Sequence, residues 1–509
     1  MEQIYGKTAK GMVFHYAAAN LSVFLQFLTT IVLVKFLPVA EYGVYSLLFS
    51  TQGLLGLVST IVLYAVARFI PDYLGKKNYR LAKKLFWFAL KYTLAVGVLF
   101  ALLLAAWPEL FNQALHSTDF LSFYVILFGI INLIQMVSGV GDWTLNAMLE
   151  QKRRAAARLA HSGTVLVLSF LLLSSGVEFG GPLGAVLAAV AAGSLFSTFL
   201  SFTKINSTLL RLPDTGNQKL ETRRVFRYSL YNQLNYIGEL FQNLTLDVYL
   251  IGLFLGTTSI AWYAFGVRIP QMVVSYSPAV LSTLVVFPSI VQKFSVSKNL
   301  NELTYFFRIY TRFTAFFSFP AMLGLVLLAE PFIRFVFSPN YLTSVNVFIV
   351  ATVAYAFLSF RFTLVNIYNT LERAEIGLYS KIVFLFSTPA NIYLLSRGEG
   401  IVVIIAVTGA ALALMTIIEY VLTARHVPLP LPAKHLLKMA FAATAMALVI
   451  YAVRPLVSSL FTLLGVIVIG AMAYFAVSAI VKPFTSHDRE LFEKLGEYGS
   501  LLKVFAAKG

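Results

Sequence analysis

The placement of Lys and Arg constrains this chain more than any other feature. Hydrophobic runs of about twenty residues fill most of the sequence, and the gaps between them alternate: one strongly basic, the next nearly free of positive charge. A protein that crosses a bilayer many times keeps Lys and Arg on its cytoplasmic loops, and that is the pattern here. Composition agrees: 59% of the 509 residues are hydrophobic and 12% are charged, too apolar for a soluble protein of this size. A helical crossing of about 30 Å of hydrocarbon needs roughly 20 apolar residues. Backbone in lipid must pair with itself, so the spans are helices or a closed barrel. The runs lack the two-residue alternation of barrel strands, which leaves helices.

Fourteen spans are expected, at 11–37, 43–67, 85–107, 121–148, 159–175, 182–203, 228–255, 259–290, 309–328, 345–370, 382–395, 401–423, 439–453 and 460–481. With a few flanking residues, the cytoplasmic gaps hold 32 of the 39 Lys and Arg, whereas the opposite gaps hold three: Arg334, Arg397 and Arg454. This puts both termini in the cytoplasm of a multi-pass protein of the plasma (inner) membrane. The first run is too long for a signal-peptide core and reads as the first span. The net charge of +17 would suggest nucleic acid in a soluble protein. Here it is a topology signal and an attraction for anionic lipid headgroups, and no nucleic-acid partner is expected. With no cysteine, disulfides, thiolate chemistry and Cys-based metal sites are excluded.

The chain repeats itself. Phe36-Leu37-Pro38 leads into Glu41-Tyr42-Gly43-Val44-Tyr45, and Phe254-Leu255-Gly256 leads into Ser259-Ile260-Ala261-Trp262-Tyr263, at a constant offset of 218 residues. Asn146 to Glu150 in span four likewise resembles Asn369 to Glu372 in span ten. Six spans lie between copies, an even number, which predicts two six-helix lobes related by an axis along the membrane normal. The expected division is an N-lobe at 1–203, a cytoplasmic linker at 204–227 and a C-lobe at 228–424. Two added spans at 425–484 and a tail at 485–509 complete it. In the tail Leu491, Leu495, Tyr498, Leu502 and Phe505 follow 3–4 spacing, the pattern of an amphipathic surface helix.

No enzyme signature appears. There is no phosphate-binding glycine loop, the six His residues lack metal-ligand spacing, and no outer gap exceeds about 16 residues. No cofactor or metal is expected, and transport is favoured by elimination and by the repeat. Eight charged residues fall inside spans, where charge is costly: Lys35, Lys91, Arg268, Arg361, Asp142, Glu239, Asp247 and Glu419. Span seven is the most polar. Tyr231, Asn235, Glu239, Asn243 and Asp247 recur every four residues, beside Asn232, Gln233, Tyr236 and Gln242. Such a stripe must face protein or water, either as the wall of a hydrophilic cavity or as interhelical hydrogen bonds. Asp247 and Arg268 flank the turn at 256–258 at similar depth, roughly 15 Å from the outer face. They read either as an ion pair that pins two spans or as one that opens for a charged cargo. Arg361 lies near Asn366, Asn369 and Thr370, and a guanidinium suits a phosphate. Span four carries Asn132, Gln135, Ser138, Asp142 and Asn146 at 3–4 spacing, a second candidate cavity wall. Asp142 could equally pair with a basic neighbour. Lys35 and Lys91 sit near span ends, where snorkelling suffices.

Three stretches carry a family likeness. Leu37-Pro38-Val39-Ala40-Glu41-Tyr42-Gly43-Val44-Tyr45 resembles an L-G-x-x-x-Y-G-x-Y turn, with Pro38 in the usual Gly position. Ala67 to Lys76 is similar to an R-F-x-x-x-x-G-K loop, and Pro331 to Tyr341 to a P-x-I-x-x-x-F-x-x-x-Y segment. In this order, with fourteen spans, the chain resembles the polysaccharide transporter branch of the multidrug/oligosaccharidyl-lipid/polysaccharide exporter superfamily. The resemblance implies a V-shaped, two-lobe, all-α bundle around a central cationic cavity, working by alternating access. The implied cargo is an oligosaccharide on a polyprenyl phosphate or pyrophosphate, moved from the cytoplasmic to the outer leaflet by a monomer. On that reading Arg268, Arg361, Asn235, Asn243 and Asn369 contact the substrate, and Glu239 and Asp247 hold a coupling Na⁺ or H⁺. A cation-coupled multidrug antiporter of the same superfamily is the alternative, favoured by the acids of span seven. A membrane glycosyltransferase or polymerase would need a larger outer loop bearing catalytic acids.

Overall fold

The computed structural model describes residues 2–108, 120–176, 179–215, 245–275, 297–373, 375–489 and 502–507, with 223, 225, 229, 230, 233, 240 and 294. Two compact units make up the chain, Met1–Ala261 and Trp262–Gly509. Among the described residues twelve helices are long and apolar enough to cross a membrane, and one bent pair adds a thirteenth.

The first unit contains α1 (Glu2–Phe36), α2 (Val39–Ser59), α3 (Ile61–Gly75), α4 (Tyr79–Ala106), α5 (Phe120–Ala147), α6 (Gln151–Ser174) and α7 (Gly181–Ile205). The expected second span is broken: α2 and α3 meet at Thr60 with a bend of 57°. α8 (Thr245–Ser275) joins the end of expected span seven to the start of span eight. Its helical geometry fails at Gly256, where φ is 80° and ψ 178°, conformations open to glycine at no steric cost. Gly43 of α2 packs directly on the backbone beyond that kink. A Cβ there would collide with the Thr257 carbonyl and lie 3.3 Å from the Ala261 nitrogen.

The core of this unit gathers Val66, Phe69, Leu85, Phe86, Val140, Leu145 and Ile205 from α3, α4, α5 and α7. Leu209 and Val225 of the expected linker join it, so the described part of that segment is docked. The Lys83 ammonium donates to the Leu212 carbonyl at 2.6 Å and to the Asp214 carboxylate at 2.8 Å, and the Thr215 hydroxyl donates to the Lys77 carbonyl. Lys83 holds the Asp214 carboxyl below the usual carboxylate range.

The second unit contains the remainder of α8, then α9 (Leu300–Leu327), α10 (Ala329–Phe332), α11 (Val345–Thr370) and α12 (Glu375–Ser380). α13 (Phe384–Ser396), α14 (Ile401–Ala424), α15 (Ala433–Val453) and α16 (Leu460–Val481) follow. One core packs Phe316 of α9 with Met439, Met446 and Ile450 of α15 and Tyr474 of α16. The tail closes over it. Phe484 and Ala506 pair their backbones, and the Phe505 ring lies 5.3 Å from Phe316 and 5.7 Å from Phe475. Phe505 therefore covers protein, while Leu491, Leu495 and Tyr498 of the expected amphipathic helix lie outside the described residues.

The repeat seen in the sequence has a backbone counterpart. After α5, Leu149 takes φ 61°; its amide bonds to the Asn146 carbonyl, and the Glu150 amide to Leu145. After α11, Glu372 takes φ 59°; its amide bonds to Asn369, and the Arg373 amide to Tyr368. Both helices end in the same left-handed cap, satisfying their last carbonyls at non-glycine residues.

Candidate substrate cavity

The break between α2 and α3 creates the candidate site. The Thr60 hydroxyl bonds back to the Gly56 carbonyl at 2.7 Å, and the Gln233 side-chain amide stands 3.0 Å from it. The Gln233 amide nitrogen also lies 3.4 Å from the Gly56 carbonyl, so Gln233, Thr60 and Gly56 form one small cluster. Gln233 is only 5% exposed. Nearby, the Thr51 and Tyr249 hydroxyls share a 2.5 Å hydrogen bond, and Gly53 lets Thr245 approach. Gln233, Thr245 and Tyr249 belong to the polar span-seven segment, and they bond to or pack against the elbow.

Beside the elbow lies a cavity of about 340 Å³, between α2/α3 and α5, lined by Gln52, Gly56, Ser59, Thr60, Asn132 and Gln135 among others. Pockets for small ligands run about 300–1,000 Å³. The Asn132 side chain is 1% exposed, and its amide oxygen, like that of Gln135, finds no partner among the described residues. A buried acceptor without a donor carries a desolvation cost of about 1–3 kcal/mol. Among the described residues the lining has no acid and no base.

The described charged residues inside the spans do not line this cavity. Asp142 is clasped by Arg154, with bonds of 2.9 and 2.8 Å, and by Arg158 at 3.2 Å, which ties α5 to α6. The Asn146 amide oxygen accepts from Arg154 at 3.0 Å in the same clasp. In the second unit Arg361 Nε donates to the Glu419 carboxylate at 2.9 Å. The Ser380 hydroxyl donates to the same oxygen at 2.9 Å, and Glu419 is fully buried. The other Glu419 oxygen has no partner among the described residues. Asn369 is exposed eight residues further along α11, about 12 Å away at 1.5 Å per residue. Asp247 is buried in the first unit and Arg268 half-buried in the second. Asn235, Glu239 and Asn243 lie outside the described residues. Lys35 is exposed near the end of α1, whereas Lys91, also exposed, sits midway along α4 rather than near a helix end as expected.

Three features escape sequence reasoning. Gln52, Ser59 and Thr60 line the cavity from an otherwise apolar run, and the Gly53/Gly56 pair beside them was the available signal. Glu419 is the partner of Arg361. Arg312, counted with the flanking basic residues, is 5% exposed and pairs at 2.6 Å with Asp488 of the tail, itself 1% exposed.

Twelve helices long and apolar enough to span a bilayer among the described residues, with a polar cavity inside the first unit, define a multi-pass membrane protein of transporter type. Residues 32–346 match the family of polysaccharide biosynthesis proteins, and the chain belongs to that family. It is 32% identical over 123 residues to the probable low-salt glycan biosynthesis flippase Agl15 of Haloferax volcanii, a match spanning 24% of each chain, about a quarter of that relative's length. Its fold is similar to the lipid II flippase MurJ in an inward closed conformation, with a TM-score of 0.70 and 16% identity over 92% of this chain and 98% of that one. It is also similar to an inward-facing MATE family multidrug transporter of the MOP superfamily, with a TM-score of 0.65 and 14% identity over 79% of this chain and 94% of that one.

Proposed function

We propose that this protein flips a lipid-linked oligosaccharide, carried on a polyprenyl phosphate or pyrophosphate, from the cytoplasmic to the outer leaflet by alternating access. The observation that carries the reading is the polar cavity beside the elbow, whose described lining includes Gln52, Ser59, Thr60, Asn132 and Gln135 and no charged group. Sugar hydroxyls are donors that amide oxygens accept, and a sugar headgroup cannot cross hydrocarbon unless its hydration is replaced. Family membership and the likeness to flippases support the same class of cargo. The basic gaps favour cytoplasmic termini in the plasma (inner) membrane. The protein acts as a monomeric transporter without enzymatic chemistry. Arg268, Arg361, Asn235, Asn243 and Asn369 contact the cargo, and Glu239 and Asp247 hold the coupling Na⁺ or H⁺.

The MATE-like fold keeps a second reading open, a cation-coupled drug antiporter. The described part of the cavity lining offers no carboxylate for a cationic drug, and the family match favours the glycan cargo. Purified protein in liposomes loaded with a polyprenyl-pyrophosphate oligosaccharide separates the two. Protein-dependent exposure of the glycan to an added glycosidase is expected. Export of a cationic dye with no glycan exposure would refute the flippase reading.

A further inference from the structure

A pocket of about 680 Å³ opens at the end of the second unit far from its basic loops, lined by Glu330, Pro331, Arg334, Tyr451, Arg454 and Pro455 among others. Irregular turns build it. Arg334 sits in a π-turn at Ile333–Phe337, directly after α10, and Arg454 opens a 3₁₀ turn at Arg454–Leu456 after α15. Single π-turns inserted in helices frequently mark functional positions. Arg334 donates to one oxygen of Glu330 at 2.9 Å, and Arg454 to the other at 3.1 Å. Two guanidiniums on one carboxylate leave a net charge of +1. Each guanidinium has five N–H donors, so donors remain after each spends one on Glu330. The three side chains are 45%, 38% and 46% exposed, in the order Arg334, Arg454, Glu330.

The sequence makes this convergence unusual. Only three Lys or Arg fall on the side that the charge pattern puts outside, and two of them meet here. Satisfying Glu330 needs one. The pocket also carries apolar surface: Tyr451 of its lining is 67% exposed, and Leu456, between the lining residues Pro455 and Val457, is 69% exposed, as groups facing acyl chains would be. A cationic, bidentate donor set at the rim of a lipid-facing apolar wall suits an anionic headgroup attached to a hydrocarbon tail.

We propose that this pocket binds the phosphate of an anionic membrane lipid at the outer surface, with Arg334 and Arg454 as its ligands and Glu330 as the spacer that holds them apart. The test uses the full-length protein in detergent micelles, with its melting temperature followed against added phosphatidylglycerol, phosphatidylcholine or inorganic phosphate. Phosphatidylglycerol is expected to raise the melting temperature beyond phosphatidylcholine at equal mole fraction. The double variant Arg334→Gln/Arg454→Gln should lose that increment and keep its response to phosphatidylcholine. Each guanidinium removed should weaken the apparent affinity about tenfold. If the double variant does not fold, Glu330→Gln decides: it lifts the net charge to +2 and should tighten phosphatidylglycerol binding. Equal response of wild type and double variant, or unchanged or weaker binding in Glu330→Gln, overturns the proposal. A full shift from inorganic phosphate alone overturns the lipid as ligand.

Discussion

Replacing Arg361 by alanine separates a structural from a substrate-binding role for this residue. Its side chain is 13% exposed, and the partner Glu419 is fully buried. Arg361→Ala removes a charge-assisted bond of 2.9 Å and leaves the carboxylate with the Ser380 hydroxyl, its second oxygen already without a described partner. Removing one member of a buried ion pair costs about 3–5 kcal/mol, because the survivor is stranded. Proton uptake by Glu419 limits the loss to the lower part of that range. Replacing both members by apolar residues of similar volume removes the stranded charge, so Arg361→Met/Glu419→Leu should lie within about 1 kcal/mol of wild type or above it. Equilibrium unfolding in mixed micelles by SDS titration measures the single and double variants. A loss under about 1 kcal/mol in Arg361→Ala, or additive losses in the double variant, would refute the buried-pair argument. The stable double variant then tests function without the confusion of misfolding. It retains glycan flipping if Arg361 serves only Glu419, and loses it if the guanidinium also meets the cargo.

Other outcomes follow from the same geometry. Asn132→Leu with Gln135→Leu should leave stability unchanged or raised, because neither amide oxygen has a partner among the described residues, while glycan flipping falls at least tenfold in liposomes. Gly43→Ala should cost about 3 kcal/mol, the upper end for overpacking, since the new Cβ meets a backbone carbonyl that cannot rotate away; size-exclusion chromatography would show the aggregated fraction. Arg312→Leu should strand Asp488, which also caps Thr485 through its amide and hydroxyl at 2.8 Å each. The tail should then detach, and proteolysis at Lys482 or Arg489 should quicken relative to Arg312→Leu/Asp488→Leu.

How much the sequence revealed depends on how local each signal is. Asn132 and Gln135 were legible because 3–4 spacing puts polar groups on one face of a helix, and that face does line a cavity. Asp142 was open between two readings, since its clasp by Arg154 and Arg158 requires α5 and α6 to lie side by side. The break at Thr60 carries no proline. It is held by Gln233, 173 residues away, and no local pattern reports such a partner. Glu419 was visible as a costly charge, but its pairing with Arg361 depends on the packing of α11 against α14. Arg312 was misjudged because a cation at the edge of an apolar run resembles an ordinary interfacial anchor. Asp488 reaches it only because the tail folds back. Length, topology and repeat are one-dimensional properties, whereas ion-pair partners are not.

The elbow at Thr60 has a consequence for movement. Thr60 and Gln233 satisfy each other in a place where acyl chains offer no donor or acceptor. If the segment bearing Gln233 withdraws from the elbow, Thr60 keeps its bond to the Gly56 carbonyl, but the Gln233 amide loses both contacts there and solvent must replace them. Separation there must therefore be preceded by wetting, so the chamber floods before it parts.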